Sequence, residues 1–155
     1  MNISEKGLAL IKGAEGLVLR AYICPAGKLT IGWGHVGPDV KPGMVITLAQ
    51  AEELIRKDIA RFERDVTELT AGVPTTQGQF DALVCLAYNI GSDIDADTIP
   101  EGLGDSTLLK RHRQGDYARA ADEFLKWDKG RVRGVLKVLP GLVKRRAAER
   151  SLYLS

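Results

Sequence analysis

Three side chains that can move or hold protons lie within sixteen residues near the start of the chain. Glu15 is followed after eight residues by Cys24, and Cys24 is followed after five residues by Thr30. A carboxyl group can act as a general acid, a thiol can act as a base or a nucleophile, and a hydroxyl can hold a water molecule. The stretch is therefore a candidate site for acid–base chemistry.

The carboxyl group of Glu15 is predicted to lie at the end of a short helix. Ser4 is a good N-cap residue, and Gly16 stands where a helix commonly ends. The C-terminal end of a helix dipole favours the protonated form of a carboxyl group. This position suits a general acid.

The other two groups are predicted on a β-hairpin. Residues 20–23 and 28–33 are two extended runs, and the sequence P-A-G between them is a turn signal. We expect this hairpin to carry Cys24 and Thr30 on facing strands near Glu15.

Trp33 and His35 follow in the sequence G-W-G-H, and both are predicted to support the structure. We expect Trp33 to pack in the core of the N-terminal lobe and His35 to bond a carboxylate or a carbonyl. The chain has two histidines, His35 and His112, and their spacing is not that of metal ligands. We therefore predict no metal site.

The spacing from Glu15 to Thr30, followed by I-G-W-G-H, resembles the catalytic motif of the phage-type, T4-like lysozymes of glycoside hydrolase family 24. That motif is glutamate, eight residues, aspartate or cysteine, five residues and threonine. The resemblance continues over nearly the whole chain, in A-Y-N-I-G (87–91), S-T-L-L-K (106–110), E-F-L-K-W (123–127) and G-L-V-K-R-R-A-A-E-R (141–150). It implies a muramidase that hydrolyses the β-1,4 bond between N-acetylmuramic acid and N-acetylglucosamine in peptidoglycan.

The resemblance also implies a mostly helical α+β fold in a single lysozyme domain. We expect a small N-terminal lobe with a β-hairpin over about 1–46, a connecting helix over about 47–71 and a helical C-terminal lobe over about 72–155, with the substrate cleft between the lobes. The sequence supports the long helix, because Thr47 and Gln50 form a capping-box pattern before a continuous apolar stripe.

The C-terminal part is predicted to be helical throughout. Capping patterns open helices at Thr76, Ser106 and Asp116, and a last helix follows Pro140. Between the first two, residues 92–105 are acidic and lack an apolar period, which predicts a surface loop.

The resemblance gives each motif residue a role. Glu15 is the expected general acid, and Thr30 is expected to hold the attacking water. Cys24 stands where relatives most often have aspartate, and it either orients or deprotonates this water or attacks the sugar directly. The sequence leaves two questions open. The anomeric configuration is either inverted or retained, and the product is either a reducing sugar formed by hydrolysis or an anhydro sugar formed by transglycosylation.

The resemblance implies that three further residues bind substrate. Tyr88 offers an aromatic face for a sugar ring, and Asn89 offers an amide for N-acetyl or hydroxyl groups. Of Arg145 and Arg146, one is expected to contact peptide-stem carboxylates and the other to brace the lobe; we assign the contact to Arg145.

The resemblance and composition together predict how the protein reaches its substrate. An endolysin of this kind is expected to be a monomer without a cofactor, held folded in the host cytoplasm until a holin opens the inner membrane, and then active at the periplasmic wall. Charged residues interrupt the N-terminus, so we expect no signal peptide, and no apolar window predicts membrane insertion. Two cysteines fit a reducing compartment.

Charge is distributed unevenly along the chain. Residues 1–109 carry nine Lys or Arg and fifteen Asp or Glu, whereas residues 110–155 carry thirteen and five. The basic part could attract an anionic polymer such as peptidoglycan or an anionic membrane surface, or it could be a solvated face. We expect no nucleic-acid partner, because no recognition motif is present. The alternative function is that of a catalytically inactive relative of the lysozyme fold, which binds peptidoglycan or has a structural role.

Overall fold

The structure, a computed structural model, describes residues 1–95, 97 and 101–155. These residues form two compact units. One unit comprises Met1–Leu10 with Phe62–Ser155, and the other is the continuous segment Ile11–Arg61. The boundaries between the units fall inside two helices, so each of those helices contributes residues to both units. The three-part division into 1–46, 47–71 and 72–155 stays a prediction.

In the described residues, six α-helices and five strands form two separate antiparallel sheets and a larger helical part, which confirms the predicted α+β fold class. A single turn of 3₁₀ helix at Phe124–Lys126 follows the fifth helix. The elements are α1 (Glu5–Glu15), β1 (Val18–Ile23), β2 (Leu29–Gly32), β3 (His35–Val36), α2 (Leu48–Leu69), α3 (Gln77–Ile90), α4 (Thr107–Arg113), α5 (Tyr117–Glu123), β4 (Lys129–Val132), β5 (Val135–Val138) and α6 (Pro140–Tyr153).

The predicted helix starts are confirmed by their capping hydrogen bonds. At α2 the Gln50 N–H donates to Thr47 Oγ1 at 3.1 Å, and the Thr47 N–H donates to Gln50 Oε1 at 2.9 Å. Thr76 makes the same reciprocal pair at α3. Single side-chain caps start three other helices, at Ser4, Ser106 and Asp116. These signals are reliable in a sequence because donor and acceptor lie only three residues apart.

The unit Ile11–Arg61 is built on a three-stranded antiparallel sheet with the order β1-β2-β3. Tyr22 lies opposite Thr30 in the first pair, and Ile31 lies opposite His35 in the second. Three of the four residues of β2 are buried, so this strand forms the centre of the small sheet. The predicted hairpin is present, and β3 is an additional strand that the sequence pattern did not indicate.

The other unit has a helical core around α3. Every residue from 79 to 87 is buried, because this helix is surrounded on several sides. Helix α6 packs against α3. Aromatic rings add to the same core, where the rings of Phe124 and Tyr153 contact each other at a tilt of 59° with centroids 5.4 Å apart.

The prediction that the C-terminal part is helical throughout was wrong. Strands β4 and β5 form an antiparallel hairpin between α5 and α6. Arg133 and Gly134 make its two-residue turn with φ values of 52° and 78°, the left-handed pair that suits a tight hairpin. Helix α5 ends at Glu123, before the hairpin begins. The strands were missed because both faces are exposed, which leaves no alternation of apolar and polar residues.

The predicted surface loop 92–105 is partly described, since residues 96 and 98–100 lie outside the described residues. In the described part, Asp93 Oδ2 accepts backbone hydrogen bonds from Glu101 and Gly102, each at 3.1 Å. Leu103 is completely buried, and its N–H donates to the carbonyl of Gly91. The end of the segment is therefore joined to its beginning.

Candidate active site

Glu15 is the last residue of α1, and its carboxyl group lies beside the backbone of Gly34. A Cβ atom placed at Gly34 would be 2.9 Å from Glu15 Oε2. Gly34 has a φ of 83°, in the left-handed region where a side chain is unfavourable. Glycine at this position therefore makes the space that the partly exposed Glu15 carboxyl group occupies.

Cys24 lies in the turn between β1 and β2, not on a strand as predicted. The turn is closed by two backbone hydrogen bonds, from the Cys24 N–H to the Lys28 carbonyl at 2.9 Å and from the Gly27 N–H to the Cys24 carbonyl at 2.8 Å. Gly27 has a φ of 79°. The thiol is free and only partly buried, so it is accessible for chemistry.

Thr30 and the turn backbone act on this thiol. A hydrogen bond from the Thr30 side chain, with others from the backbone N–H groups of Lys28 and Ala26, lowers the pKa of Cys24 because these donors stabilise the thiolate. Thr30 itself is buried, and the Lys28 carbonyl, 3.0 Å from its hydroxyl oxygen, is an alternative acceptor for the single hydroxyl proton. The structure therefore brings Cys24 and Thr30 together.

Trp33 is buried and lies next to a charged pair. Lys12 Nζ is 4.5 Å from the centroid of the Trp33 ring, which is a cation–π contact. The same ammonium group pairs with Glu52 Oε1 at 2.5 Å. Lys12 is one helical turn before Glu15, so these contacts hold the end of α1 against the sheet and α2.

His35 lies between two carboxylates. Its Nδ1 is 2.7 Å from Asp58 Oδ2, and its Nε2 is 2.9 Å from Asp39 Oδ2. Burial lowers the pKa of His35, but the hydrogen bonds and charges of Asp58 and Asp39 outweigh burial and raise the pKa above its ordinary value. The contacts join β3 to α2, and a supporting role for His35 stays our prediction.

Tyr88 and Asn89 lie near the end of α3. Tyr88 is partly buried and makes an edge contact with the Phe62 ring at a centroid distance of 5.4 Å. Asn89 is exposed, and its Oδ1 accepts a hydrogen bond from Arg146 Nη2. Both side chains retain exposed surface, and their sugar-binding roles stay predictions.

Arg145 and Arg146 are both buried, contrary to what a substrate ligand requires. Arg145 is 9% exposed and Arg146 is 0% exposed. Both pair with the buried carboxylate of Glu149, Arg145 Nε at 3.4 Å and Arg146 Nη1 at 3.1 Å. These contacts favour bracing for both arginines, so the predicted contact of Arg145 with substrate has no support in its surroundings.

Some acidic side chains of the described part of loop 92–105 are close together. The carboxylates of Asp93, Asp95 and Glu101 lie within 4.8 Å of one another, as do those of Asp95, Asp97 and Asp105. Exposed acidic groups commonly cluster without binding an ion. None of these residues belongs to the group around Glu15.

Comparison with known proteins identifies the family to which the chain belongs. Residues 12–149, which include the whole motif from Glu15 to Thr30, match the family described as phage lysozyme. The chain belongs to the phage lysozyme family. It is therefore an enzyme of the lysozyme class that degrades peptidoglycan, and the predicted family and enzyme class are confirmed.

Relatives of this phage lysozyme match it over its full length. The endolysin of Acyrthosiphon pisum secondary endosymbiont phage 1 is 46% identical over 155 residues, covering 100% of this chain and 99% of that protein. The endolysin from Escherichia coli O157:H7 phage FAHEc1 has a TM-score of 0.87 and 41% identity, covering 100% and 94% of the two chains. The muramidase domain of SpmX from Asticaccaulis excentricus also has a TM-score of 0.87, at 36% identity over 99% and 98% of the chains.

Among residues 1–95, 97 and 101–155, no helix combines the length and hydropathy needed to cross a bilayer.

Three residues that contact predicted site residues were missed by sequence reasoning. Gly34 was visible in G-W-G-H, but its contact with Glu15 depends on the fold. Asp58 lies 23 residues from His35, so no local pattern linked them. Glu149 could have been recognised, because the sequence R-R-A-A-E places it three and four residues after the two arginines on one helix.

Proposed function

We propose that this phage lysozyme is an endolysin that hydrolyses the β-1,4 bond between N-acetylmuramic acid and N-acetylglucosamine. The observation that carries the proposal is that one compact unit holds both a partly exposed carboxyl group and a partly exposed thiol whose pKa is lowered. Glycoside hydrolysis needs an acid for the leaving oxygen and a second group that activates water or attacks the sugar. Glu15 and Cys24 meet these two requirements.

Glu15 acts as the general acid in this proposal. Its protonated carboxyl group gives a proton to the glycosidic oxygen as the bond to the anomeric carbon breaks, so the departing N-acetylglucosamine leaves as a neutral alcohol. Gly34 supports this role because it leaves room for the carboxyl group in one position.

Cys24 acts on the water that replaces the leaving group. The thiolate accepts a proton from water while the water oxygen attacks the anomeric carbon, and the hydrogen bond from Thr30 favours the thiolate by lowering the pKa of Cys24. This single displacement inverts the anomeric configuration. Direct attack by the sulfur would instead form a glycosyl thioether and, after hydrolysis, retain the configuration.

Tyr88 and Asn89 are the proposed sugar ligands on α3. Exposed surface on both side chains supports this assignment, as an aromatic face and an amide suit an N-acetylated sugar.

We further propose that the protein is a monomer that stays in the host cytoplasm until a holin opens the inner membrane, and then acts on the periplasmic wall to lyse the cell. The endolysins among its relatives support this route.

The bond that is cleaved can be identified from the products. Purified peptidoglycan is digested, the new reducing ends are reduced with borohydride, and the fragments are analysed by mass spectrometry. We expect reduced N-acetylmuramic acid at the new ends. Reduced N-acetylglucosamine or an anhydromuramic product would contradict the proposal.

The role of Cys24 can be tested with the same digest. Proton NMR recorded within the first minutes, before mutarotation, is expected to show the α-anomer of N-acetylmuramic acid at the new reducing end. The β-anomer would instead support direct attack by the sulfur. Catalytic activity of Cys24→Ala equal to that of the wild type would contradict both roles.

A further inference from the structure

The hairpin of β4 and β5 exposes apolar side chains on a protein surface. Every residue from 131 to 138 is exposed. The exposed fractions are 55% for Val135, 57% for Leu136 and 54% for Val138. Adjacent aliphatic residues with this exposure are uncommon on a monomer unless the surface binds something.

One face of the hairpin combines basic and apolar side chains. Lys129 lies opposite Val138, and Arg131 lies opposite Leu136. Cross-strand partners project from the same face, so two cations and two aliphatic residues form one patch. The Arg131 guanidinium also donates to the Gly134 carbonyl at 3.2 Å, which holds the cation beside the turn.

The opposite face is anchored at its base and exposed toward the turn. A Cβ atom at Gly130 would be 2.6 Å from Leu139 Cδ1, so the hairpin backbone packs closely on the residue that precedes α6. Val132 and Val135 lie opposite each other near the turn and are 40% and 55% exposed. The hairpin is thus a fixed projection with apolar residues near its tip.

The charge on this projection has one sign. Residues 129–138 contain four Lys or Arg and no Asp or Glu. Lys129 pairs with Asp128 at 3.1 Å, whereas Arg133 and Lys137 have no ion pair with any of the residues that the structure describes. A partner of this surface must therefore offer negative charge to the cations and an apolar region to the aliphatic side chains.

We propose that the hairpin Lys129–Val138 binds the surface of an anionic phospholipid bilayer as a peripheral contact. Lipid phosphates complement the cations, and the acyl boundary accepts the valine and leucine side chains. An anionic polymer such as peptidoglycan would pair with the cations but would give the aliphatic residues no apolar phase. The contact is adsorption rather than insertion, and it does not depend on the catalytic roles proposed above.

Co-sedimentation with lipid vesicles tests this binding. The full chain is mixed with vesicles of phosphatidylglycerol and phosphatidylethanolamine, and separately with vesicles of phosphatidylcholine alone. We expect binding to the first kind only, with affinity that falls as salt increases. Equal binding to both kinds, or binding to neither, would overturn the proposal.

Two triple variants separate charge from apolar contact. Arg131→Gln with Arg133→Gln and Lys137→Gln is expected to weaken vesicle binding about 100-fold, since each cation contributes near an anionic surface. Val135→Thr with Leu136→Thr and Val138→Thr keeps strand-forming residues and is expected to weaken binding about 10-fold. Circular dichroism and hydrolysis of soluble peptidoglycan fragments confirm that each variant is folded.

Matched controls change the same residue types elsewhere. The charge control is Lys41→Gln with Arg64→Gln and Lys110→Gln, and the apolar control is Val45→Thr with Leu154→Thr, all at exposed positions. Both controls are expected to bind vesicles within about 3-fold of the wild type, as scattered surface charges act weakly at physiological salt. Equal weakening by variants and controls would contradict a specific surface. Two results together would show a contact with an anionic polymer instead. The apolar variant would bind vesicles as tightly as the wild type, and the charge variant would bind insoluble peptidoglycan more weakly than the wild type.

Discussion

The two units each contain a group of polar and charged side chains, and the two groups differ in their access to water. In the unit Ile11–Arg61, Glu15 and Cys24 are partly exposed and are positioned by backbone turns and glycine. In the other unit, Arg146 and Glu149 are completely buried and are positioned by each other. The first group can meet a substrate, whereas the second has used its charges within the fold.

The comparison shows that a motif residue need not be a chemical participant. Arg145, Arg146 and Glu149 lie in a segment that resembles the family as clearly as Glu15 does, but their burial favours a structural role. Buried ion pairs lose much of their attraction to desolvation, and removal of one partner leaves an uncompensated charge. Substitutions in the two groups should therefore affect different measurements.

Glu149→Ala should have the largest effect on stability. It removes the shared carboxylate of two buried guanidinium groups, and we expect a loss of about 3–5 kcal/mol in the free energy of unfolding. Urea unfolding followed by circular dichroism measures it, with the exposed Glu53→Ala as the control. A loss below about 1 kcal/mol would mean that the buried pair does not hold this unit.

Cys24→Ala should lower activity without a comparable loss of stability. The thiol is only partly buried, so we expect an unfolding free energy close to wild type and a rate about 100-fold lower, the scale of a missing general base. Turbidity loss of purified cell walls measures the rate. A rate within 2-fold of wild type would exclude Cys24 from the chemistry.

Cys24→Asp should separate charge from sulfur chemistry through its pH profile. Although the pKa of the Cys24 thiol is lowered, the thiol must still lose its proton to act as a base. Wild-type activity therefore falls as the pH decreases below that pKa. An aspartate stays ionised to a pH of about 4. We therefore expect Cys24→Asp to retain activity at acid pH where the wild type has lost it. The same acid limb in both proteins would assign that limb to another group.

Gly34→Ala should displace the Glu15 carboxyl group and lower activity by less than the loss of Cys24 does. The substitution places a Cβ atom in the left-handed region and 2.9 Å from Glu15 Oε2, so the carboxyl group must move. We expect a stability loss of about 1–2 kcal/mol and a larger fractional loss of activity. Gly43→Ala is the matched control, since Gly43 has a φ of 76° and its added Cβ atom would meet nothing within 4 Å. Equal activity losses in the two variants would refute a role for Gly34 in placing Glu15.

Asp58→Asn should have the smallest effect and should depend on pH. The folded-state pKa of His35 is raised, so its contribution to stability is complete below the unfolded value of about 6.5 and is lost as the pH rises through the folded value. Removing the Asp58 charge should cost about 1 kcal/mol at pH 6 and less at pH 8. Thermal unfolding at both pH values measures it, and Asp39→Asn, at the more exposed carboxylate, should cost less. An equal loss of stability at pH 6 and pH 8 would show that protonation of His35 does not strengthen its contact with Asp58.

Local contacts of the fold could be predicted from the sequence, and distant ones could not. The caps at Thr47 and Thr76 follow from residues three apart, and the hairpin around Cys24 follows from its turn residues. The pairing of His35 with Asp58 and the approach of Gly34 to Glu15 depend on how separate elements fold together. No period in the sequence encodes such contacts.

The hairpin β4–β5 was missed for a different physical reason. A strand is recognised by alternation when one face is buried, and here both faces are exposed. The remaining signal was the R-G turn between valines, a two-residue loop with positive φ at both positions. The burial of Arg145 was equally hidden, because a run of basic residues predicts a solvated face.

The most direct test of the division between chemistry and structure is the comparison of Glu15→Gln with Glu53→Gln. Both variants replace one carboxyl group in the same unit by an amide, and both are assayed for release of peptidoglycan fragments and for unfolding free energy. We predict that Glu15→Gln lowers turnover at least about 100-fold with stability within about 0.5 kcal/mol of wild type, and that Glu53→Gln changes neither. Wild-type turnover in Glu15→Gln, or a loss of turnover explained by unfolding, would contradict the account.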